Sequence, residues 1–349
     1  MTESVPTTQK AAVYTEHKGE IKIQEIPVPQ PKSDELLVKL MFSGICRSDI
    51  QHYYGDYSHV ELKSPLIGGH EGSGIVAKLG SHVTDFKLGD KVGIKFLAAC
   101  LSCEFCKRGY ESNCTSAIWF GFRVDGTFQQ YAVVKANAAI RIPDELDLAQ
   151  AAPILCAGLT AYRAVLETNT LAGEFVTITG AAGGLGSLAI QYARAMGLRV
   201  IGIDAGANKE EACRQLGAEF FIDVLSEKNV LEKVLEITNG GTHAVINMAT
   251  SLEAIQTSLL YVRPRGTVVI VSLPPGNLEV NLFSTVMKTI TIKGSLVGTR
   301  QDTDAALGFV VRGQVKSPIE IVKLEQLKET FERIAKSQVV GRVVIDLWK

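Results

Sequence analysis

The sequence predicts an α/β fold in which a doubly wound parallel sheet is inserted into a mainly β domain. Short strands separated by turns dominate residues 1–150, and strands alternate with helices over about 155–292. The pattern then loosens before a final strand, GRVVIDLWK. At 349 residues the chain also exceeds what one hydrophobic core usually organises, so two domains are expected.

Each candidate strand in the first part of the chain is bounded by Gly, Pro, Asn or Asp, which favour turns. These strands are AAVYTE, ELLVKLMFSGIC, GSGIVAKLG, DKVGIKF and QQYAVV. The pattern changes near Pro153, where AAPILCAGLTAYRAVLE has the apolar spacing and length of a helix.

Beyond that helix, strands and helices alternate, which is typical of a doubly wound parallel sheet. In order the segments are EFVTITG, LGSLAIQYARAMG, RVIGID, NKEEACRQLG, EFFIDV, NVLEKVLEITNG, HAVINMA, LEAIQTSLLYV and GTVVIVS. We therefore predict a Rossmann domain at about 155–292.

Composition and charge indicate a packed enzyme rather than a nucleic-acid or membrane protein. The formal net charge is −1, which gives no electrostatic reason to expect a polyanionic partner. The N-terminus lacks a basic region followed by an apolar one, and no run of about 18 apolar residues suggests a membrane span. We expect a cytoplasmic protein.

Six of the seven cysteines are predicted to bind metal, in two unlike groups. Cys100, Cys103, Cys106 and Cys114 follow the pattern C-x2-C-x2-C-x7-C, in a lobe at about 98–116. Four thiolates can close a tetrahedral zinc, so this site is predicted to be structural. Disulfides are disfavoured without a sign of an oxidising compartment, and ferredoxin-type iron–sulfur runs have other spacings.

Cys46, Cys156 and the His70–Glu71 pair lie far from that lobe in the sequence. Two Cys and one His leave one coordination position free, which a catalytic zinc requires. Cys213 belongs to neither group and is interpreted as a small buried hydrophobic residue.

A glycine-rich turn between a strand and a helix predicts a dinucleotide site. The turn residues assigned to cofactor binding are Gly180, Gly183, Gly184, Leu185 and Gly186. Asp204 ends the next strand, where a carboxylate binds ribose hydroxyls and repels a 2′-phosphate, so NAD(H) is preferred over NADP(H). Lys209 is either a further cofactor contact or an exposed helix lysine.

Over essentially its whole length the chain resembles the zinc-dependent medium-chain alcohol dehydrogenases, most closely the yeast-type tetrameric branch. The motifs are GICRSD, GGHEG, the four-cysteine lobe, ESNC, FQQYA, APILCAGLTAY, GAAGGLGSLAIQYA, VKSPI and VVGRVVID. The resemblance implies a GroES-like catalytic domain of 1–154 and 293–349, a Rossmann domain at 155–292, and a homotetramer. It also implies two zinc ions per chain.

The resemblance also implies a role for each matching residue. Cys46, His70 and Cys156 are the catalytic zinc ligands, Glu71 is an exchanging fourth ligand, and Asp49 orients the ligands from behind. The implied cofactor contacts are Arg47 and Arg342 at the pyrophosphate, Thr160 at the nicotinamide, and Val271, Ser272 and Leu273 at its amide.

The implied reaction is hydride transfer between an alcohol or carbonyl substrate and the nicotinamide, with Ser48 taking the alcohol proton. The family's relay continues to a histidine, but Gln51 stands at that position and cannot titrate near pH 7. We therefore predict an altered relay, either through His52 or directly to water.

The substrate pocket is predicted from Tyr57, Phe96, Trp119 and Leu296, although these residues could simply pack the core. A reshaped pocket favours larger primary or secondary alcohols and ketones over ethanol. The alternatives left open are a polyol or other zinc-dependent medium-chain dehydrogenase and an NAD-binding pseudoenzyme. A zinc-free quinone reductase lacks the ligands, and a zinc-ribbon module lacks the nucleotide turn.

Overall fold

The computed structural model describes residues 4–57 and 60–349. The chain forms two compact units, Met1–Cys156 with Thr299–Val311 and Ile319–Lys349, and Ala157–Gly298 with Arg312–Pro318. The domain boundaries expected from the sequence, after residues 154 and 292, remain a prediction. In the structure the chain passes from the first unit to the second after residue 156 and returns to the first after residue 298. The second unit also takes a short segment beyond residue 311.

The N-terminal part of the first unit is mainly β. Its elements are β1 Thr8–Tyr14, β2 Lys22–Pro27, β3 Glu35–Ile45, α1 Arg47–Tyr54, β4 Leu66–Ile67, β5 Glu71–Leu79, β6 Lys91–Ile94, β7 Leu97–Ala98, α2 Glu104–Lys107, β8 Ile118–Trp119, β9 Tyr131–Lys135, β10 Ile140–Arg141 and α3 Leu148–Ala151. A 3₁₀ turn, Ala152–Leu155, ends this part.

The second unit alternates strands and helices, as its sequence pattern predicts. Its elements are α4 Ala157–Glu167, β11 Phe175–Thr179, α5 Gly186–Ala195, β12 Arg199–Asp204, α6 Glu210–Leu216, β13 Phe220–Asp223, α7 Val230–Thr238, β14 Thr242–Asn247, α8 Leu252–Tyr261, β15 Val262–Ile270, α9 Leu282–Lys288 and β16 Thr291–Gly294. The chain then continues with α10 Arg300–Val311, β17 Ile319–Lys323, α11 Leu327–Ala335 and β18 Arg342–Asp346.

The six strands of the second unit form one parallel sheet in the order β13-β12-β11-β14-β15-β16. Its central strand β11 is buried at every residue, which a parallel sheet covered on both faces requires. Apolar side chains such as Ile201, Val245 and Val268 form the core beside it. This doubly wound sheet confirms the predicted fold class for the central part of the chain.

The first unit is built on a seven-stranded sheet in the order β10-β6-β5-β3-β18-β17, with β9 also paired to β3. β18 runs antiparallel to β3 and parallel to β17, so the last strand of the chain lies between these two strands of the first unit's sheet. Leu40, Ile45, Val343 and Phe331 belong to one apolar core, which joins both ends of the chain. Within residues 4–57 and 60–349, no helix is long and apolar enough to cross a membrane.

Candidate active site

Cys46, His70, Glu71 and Cys156 converge in the first unit from three separate parts of its sequence. Cys46 caps the N-terminus of α1, His70 and Glu71 stand at the start of β5, and Cys156 follows the 3₁₀ turn. Their potential ligand atoms all lie within 4.8 Å of one another. All four side chains are buried, so the group is removed from bulk water.

Asp49 supports two members of this group at once. One carboxylate oxygen lies 2.7 Å from His70 Nδ1, and the other accepts the Cys46 backbone N–H at 2.9 Å. A carboxylate on Nδ1 fixes the ring and leaves Nε2 for a metal. Burial is the largest single influence and opposes protonation of His70, but the Asp49 carboxylate and the Cys46 side chain together outweigh it and raise the pKa of His70 well above its usual value.

The two thiols of this group differ in their electrostatics. A hydrogen bond from Cys156 is the largest influence on Cys46 and lowers its pKa well below the usual value. The same interaction, together with burial, raises the pKa of Cys156. A thiolate at Cys46 is the form that binds metal.

Glu71 is paired with a buried arginine. Arg342 Nη2 donates to both Glu71 carboxylate oxygens, at 2.6 and 2.5 Å. Burial is the larger influence and raises the pKa of Glu71 to about 7, while the arginine charge acts in the opposite direction. Arg342 thus faces Glu71 here, and its predicted pyrophosphate contact remains a prediction, as does that of Arg47, whose Nη1 lies 3.4 Å from the Ile334 carbonyl oxygen.

The second cysteine group lies around α2 and is less buried than the first. The Sγ atoms of Cys100, Cys103, Cys106 and Cys114 also lie within 4.8 Å of one another. The Cys100 N–H donates to Cys114 Sγ at 3.2 Å, and the Cys103 N–H donates to Cys100 Sγ at 3.4 Å. The Ser102 hydroxyl donates to Cys100 Sγ at 3.5 Å and is the main cause that lowers the pKa of Cys100 to about 5.

Comparison with known proteins places these groups in a family. The alcohol dehydrogenase GroES-like domain matches residues 32–144, and the zinc-binding dehydrogenase domain matches residues 184–312. The chain belongs to the zinc-binding medium-chain alcohol dehydrogenase family. In that family the Cys46–His70–Glu71–Cys156 group fits the catalytic zinc, and the four-cysteine lobe fits the structural zinc.

Several solved structures align with nearly the full length of this chain. An acetophenone reductase of Geotrichum candidum NBRC 4597, solved with NAD, is 27% identical, covers 99% of both chains and has a TM-score of 0.88. A cinnamyl alcohol dehydrogenase of Sorghum bicolor is 27% identical over 97% of both chains, with a TM-score of 0.87. A zinc-binding dehydrogenase of Sinorhizobium meliloti 1021, bound to NADP, is 26% identical over 98% of this chain and 100% of its own, with a TM-score of 0.90.

Aromatic rings stand beside the histidine of the catalytic group in this family member. Phe96 lies 5.1 Å and Phe122 lies 5.9 Å from His70 between ring centroids. Trp119 extends the group from Phe96 at 5.8 Å, and Tyr57 extends it from Phe122 at 6.1 Å. We call Tyr57, Phe96, Trp119 and Phe122 the aromatic wall.

Sequence reasoning found three members of this wall and missed Phe122. Phe122 is buried in the turn directly after β8, three residues beyond Trp119 in the run WFGF. Its closeness to Trp119 in the sequence was the available signal that Phe122 belongs to the wall. A turn, however, has no periodicity that reveals where the side chain of Phe122 points. Leu296, the fourth predicted pocket residue, belongs to the second compact unit and is exposed.

The predicted proton-relay residues occupy distinct environments. Ser48 Oγ lies 3.8 Å from Cys46 Sγ, and Tyr57 Oη donates to Gln51 Oε1 at 2.8 Å. His52 stacks on Phe122 with 4.4 Å between ring centroids, and its nitrogens have no hydrogen-bond partner among residues 4–57 and 60–349. Burial lowers the pKa of His52 to about 4, and its relay role remains a prediction.

The glycine-rich turn in the second unit brings backbone segments very close together. Gly180 has a φ of +67°, and a Cβ at Gly186 would lie 2.2 Å from the Gly180 carbonyl oxygen, so a side chain there would clash. Gly183, Gly184 and Leu185 complete the turn before α5.

Asp204 lies at the end of β12 and reaches this turn. Its Oδ2 accepts the Ala182 N–H at 2.9 Å, and its Oδ1 accepts from Lys209 Nζ at 2.7 Å. Lys209 is therefore partly buried in an ion pair rather than being a free helix lysine.

The remaining predicted cofactor residues are spread over the same unit. Thr160 is buried in α4. The N–H groups of Val271 and Ser272 both donate to the Asn247 carbonyl oxygen, and Leu273 is exposed beyond β15. Their contacts with a cofactor remain predictions.

Proposed function

We propose that this chain is an NAD(H)-dependent zinc alcohol dehydrogenase and carbonyl reductase. We further propose that it prefers primary or secondary alcohols larger than ethanol, with the matching aldehydes and ketones. The observation that carries the proposal is the buried Cys46–His70–Cys156 group with Phe96 and Phe122 packed beside its histidine. Similarity to an acetophenone reductase supports the bulky substrate class.

The residues present suit each step of this reaction. Cys46, His70 and Cys156 would hold a zinc ion, and Asp49 keeps His70 in the orientation that leaves Nε2 available to it. Bound there, zinc would supply a Lewis acid for the substrate oxygen, and NAD(H) would supply the hydride acceptor or donor. Ser48 Oγ, beside Cys46, is placed to accept the proton of the substrate hydroxyl while it releases its own proton, either toward His52 or directly to water.

Two features of Glu71 suit it to an exchanging fourth ligand. A carboxylate oxygen of Glu71 lies within 4.8 Å of the potential ligand atoms of the other three residues, and Arg342 compensates its charge in a buried environment. Because Arg342 already pairs with it, the Glu71 carboxylate would not be left unpaired if it gave up a metal to substrate.

Asp204 supports a preference for NAD(H) over NADP(H). Its carboxylate stands at the end of β12, next to the glycine-rich turn, where it repels a 2′-phosphate. Lys209 Nζ donates to Asp204 Oδ1 at 2.7 Å, which holds the carboxylate in place beside the turn. The yeast-type branch, the tetramer and the cytoplasmic location also remain predictions that rest on resemblance and sequence.

Steady-state kinetics with zinc quantification test this proposal. We expect two zinc ions per chain and turnover of aryl and branched ketones with NADH. The kcat/KM for these ketones is expected to exceed the value for acetaldehyde, and NADH is expected to exceed NADPH. A higher kcat/KM for ethanol than for bulkier alcohols would refute the substrate class, and absence of turnover on every alcohol and carbonyl would refute the enzyme assignment.

A further inference from the structure

Gln51 and Tyr57 are joined by a hydrogen bond at the polar end of the aromatic wall. The Tyr57 hydroxyl donates to the side-chain carbonyl oxygen of Gln51 at 2.8 Å. Gln51 lies on α1, the same helix whose N-cap is Cys46. The helix that presents a metal ligand therefore also holds a ring of the wall.

The end of α1 explains how residues six positions apart come into contact. Gly55 adopts a left-handed conformation with a φ of +76°, and its N–H donates to the His52 carbonyl oxygen at 3.0 Å. The Asp56 N–H donates to the Gln51 carbonyl oxygen at 2.9 Å. A left-handed residue after a helix reverses the chain, which brings Tyr57 back beside Gln51.

The hydroxyl and the ring of Tyr57 have different partners. The hydroxyl donates a hydrogen bond to the side-chain carbonyl oxygen of Gln51. The ring packs at a tilt of 33° against Phe122, which in turn contacts His70. If the half-buried Tyr57 hydroxyl lost its acceptor, it would be destabilised unless the ring turned toward water. The hydrogen bond to Gln51 therefore fixes the position of the Tyr57 ring.

We propose that Gln51 is a positioning residue for substrate selection. Its side-chain carbonyl holds the Tyr57 ring in the wall beside His70, and the pair thereby sets how large a substituent fits next to the metal-binding group. This inference rests on the proposed function. It assigns Gln51 a task other than proton transfer, which suits an amide that does not titrate near pH 7.

A double-mutant cycle tests the proposal in the full-length, zinc-loaded enzyme. The variants are Gln51→Leu, Tyr57→Phe and the double variant, and the readout is the ratio of kcat/KM for acetophenone to that for acetone with NADH. Each single change should shift this ratio roughly threefold to tenfold, equivalent to about one net hydrogen bond. The double variant should shift it no further, because both changes remove the same bond.

Two further variants separate positioning from general damage. Gln51→Glu keeps an acceptor oxygen and should retain a ratio close to that of the wild type. Tyr53→Phe removes a comparable bond on the same helix, from the Tyr53 hydroxyl to the Gly19 carbonyl oxygen at 2.5 Å. The Tyr53 ring packs against Tyr14 and Phe331, so this control should lower Tm and leave the ratio unchanged.

The outcomes separate this inference from the function on which it rests. Single variants with an unchanged ratio, or single effects that multiply in the double variant, overturn the positioning role while the wild type still turns over carbonyl substrates. A ratio that shifts equally in Tyr53→Phe also overturns it. A wild type that turns over no alcohol or carbonyl refutes the proposed function itself, and the positioning role falls with it.

Discussion

The two cysteine groups hold similar donor atoms in opposite surroundings. Cys46 and Cys156 are buried beside His70, Glu71 and their charged partners, whereas three of the four lobe cysteines are partly exposed. In the buried group, the Asp49 carboxylate and the Arg342 guanidinium support the ligands. In the lobe, backbone N–H groups and the Ser102 hydroxyl contact the sulfurs.

This difference follows from what each metal site must do. A structural zinc needs only four protein ligands that fill all its coordination positions, and backbone amides on a short loop suffice to orient the four sulfurs. An open zinc must keep one position available, so its fewer protein ligands depend on outer partners for orientation and charge balance. Contacts between the ligands and neighbouring residues should therefore affect zinc affinity and activity far more at the buried group than in the lobe. Four substitutions test this contrast.

Removal of a ligand from the buried group should have the largest effect. In Cys46→Ala we expect zinc to fall from two ions per chain to one and kcat/KM to fall by at least about 10³-fold, since a Lewis acid worth several kcal/mol is lost. Zinc quantification and steady-state kinetics measure both. Cys213→Ala, which changes a buried cysteine outside both groups, is the control and should keep two zinc ions. Substantial activity with one zinc ion in Cys46→Ala would break the assignment.

Asp49→Asn should have the next largest effect because it changes the outer partner of the buried group. The amide cannot accept from both His70 Nδ1–H and the Cys46 N–H, so one ligand loses its orientation. We expect a loss of roughly 10- to 100-fold in kcat/KM or zinc affinity. Chelator competition and kinetics measure these quantities.

Asp34→Asn is the matched control for that substitution. Its carboxylate is exposed and pairs only with Lys135 among the described contacts, so kinetics should stay at the wild-type level. Equal effects in the two variants would mean that Asp49 acts through general electrostatics rather than through its contacts.

Loss of the lobe zinc should change stability far more than catalysis. In Cys103→Ser we expect one zinc ion per chain and a Tm lower by roughly 5 to 10 °C, because metal binding contributes directly to local folding. Below that Tm, kcat should stay within about twofold of the wild type, since the buried group keeps all its ligands. Calorimetry and kinetics at one fixed temperature check both. A natively folded but inactive variant would show that the two groups are coupled.

The sequence predicted ligands better than it predicted their partners. Cysteine spacing predicts the lobe, and the family resemblance assigns Cys46, His70 and Cys156, because ligand chemistry restricts residue type. The partner of Arg342 was not predicted, since β18 meets β3 only after some 300 intervening residues and no local pattern records that register. Phe122 was missed for a similar reason, because a turn positions it and turns carry no periodicity.

The fold shows the same division between local and distant information. Alternating strands and helices predicted the parallel sheet of the second unit because each crossover is local in sequence. In the first unit, β3 pairs with β5, β9 and β18, partners that lie at very different distances along the chain. Alternating side chains predict that such strands exist, but they do not choose among equally suitable partners.

Ser102→Ala should have the smallest effect of the four and sharpens the contrast with Asp49→Asn. Both side chains contact a metal ligand from outside, but Ser102 is exposed and two backbone N–H groups also contact the lobe sulfurs. Removing the hydroxyl raises the pKa of Cys100 toward its usual value, yet a bound zinc keeps the thiolate. We expect two zinc ions per chain, unchanged kcat/KM and a Tm shift below about 2 °C by calorimetry. A loss of lobe zinc as large as the loss expected for Asp49→Asn would mean that outer contacts matter equally at closed and open sites.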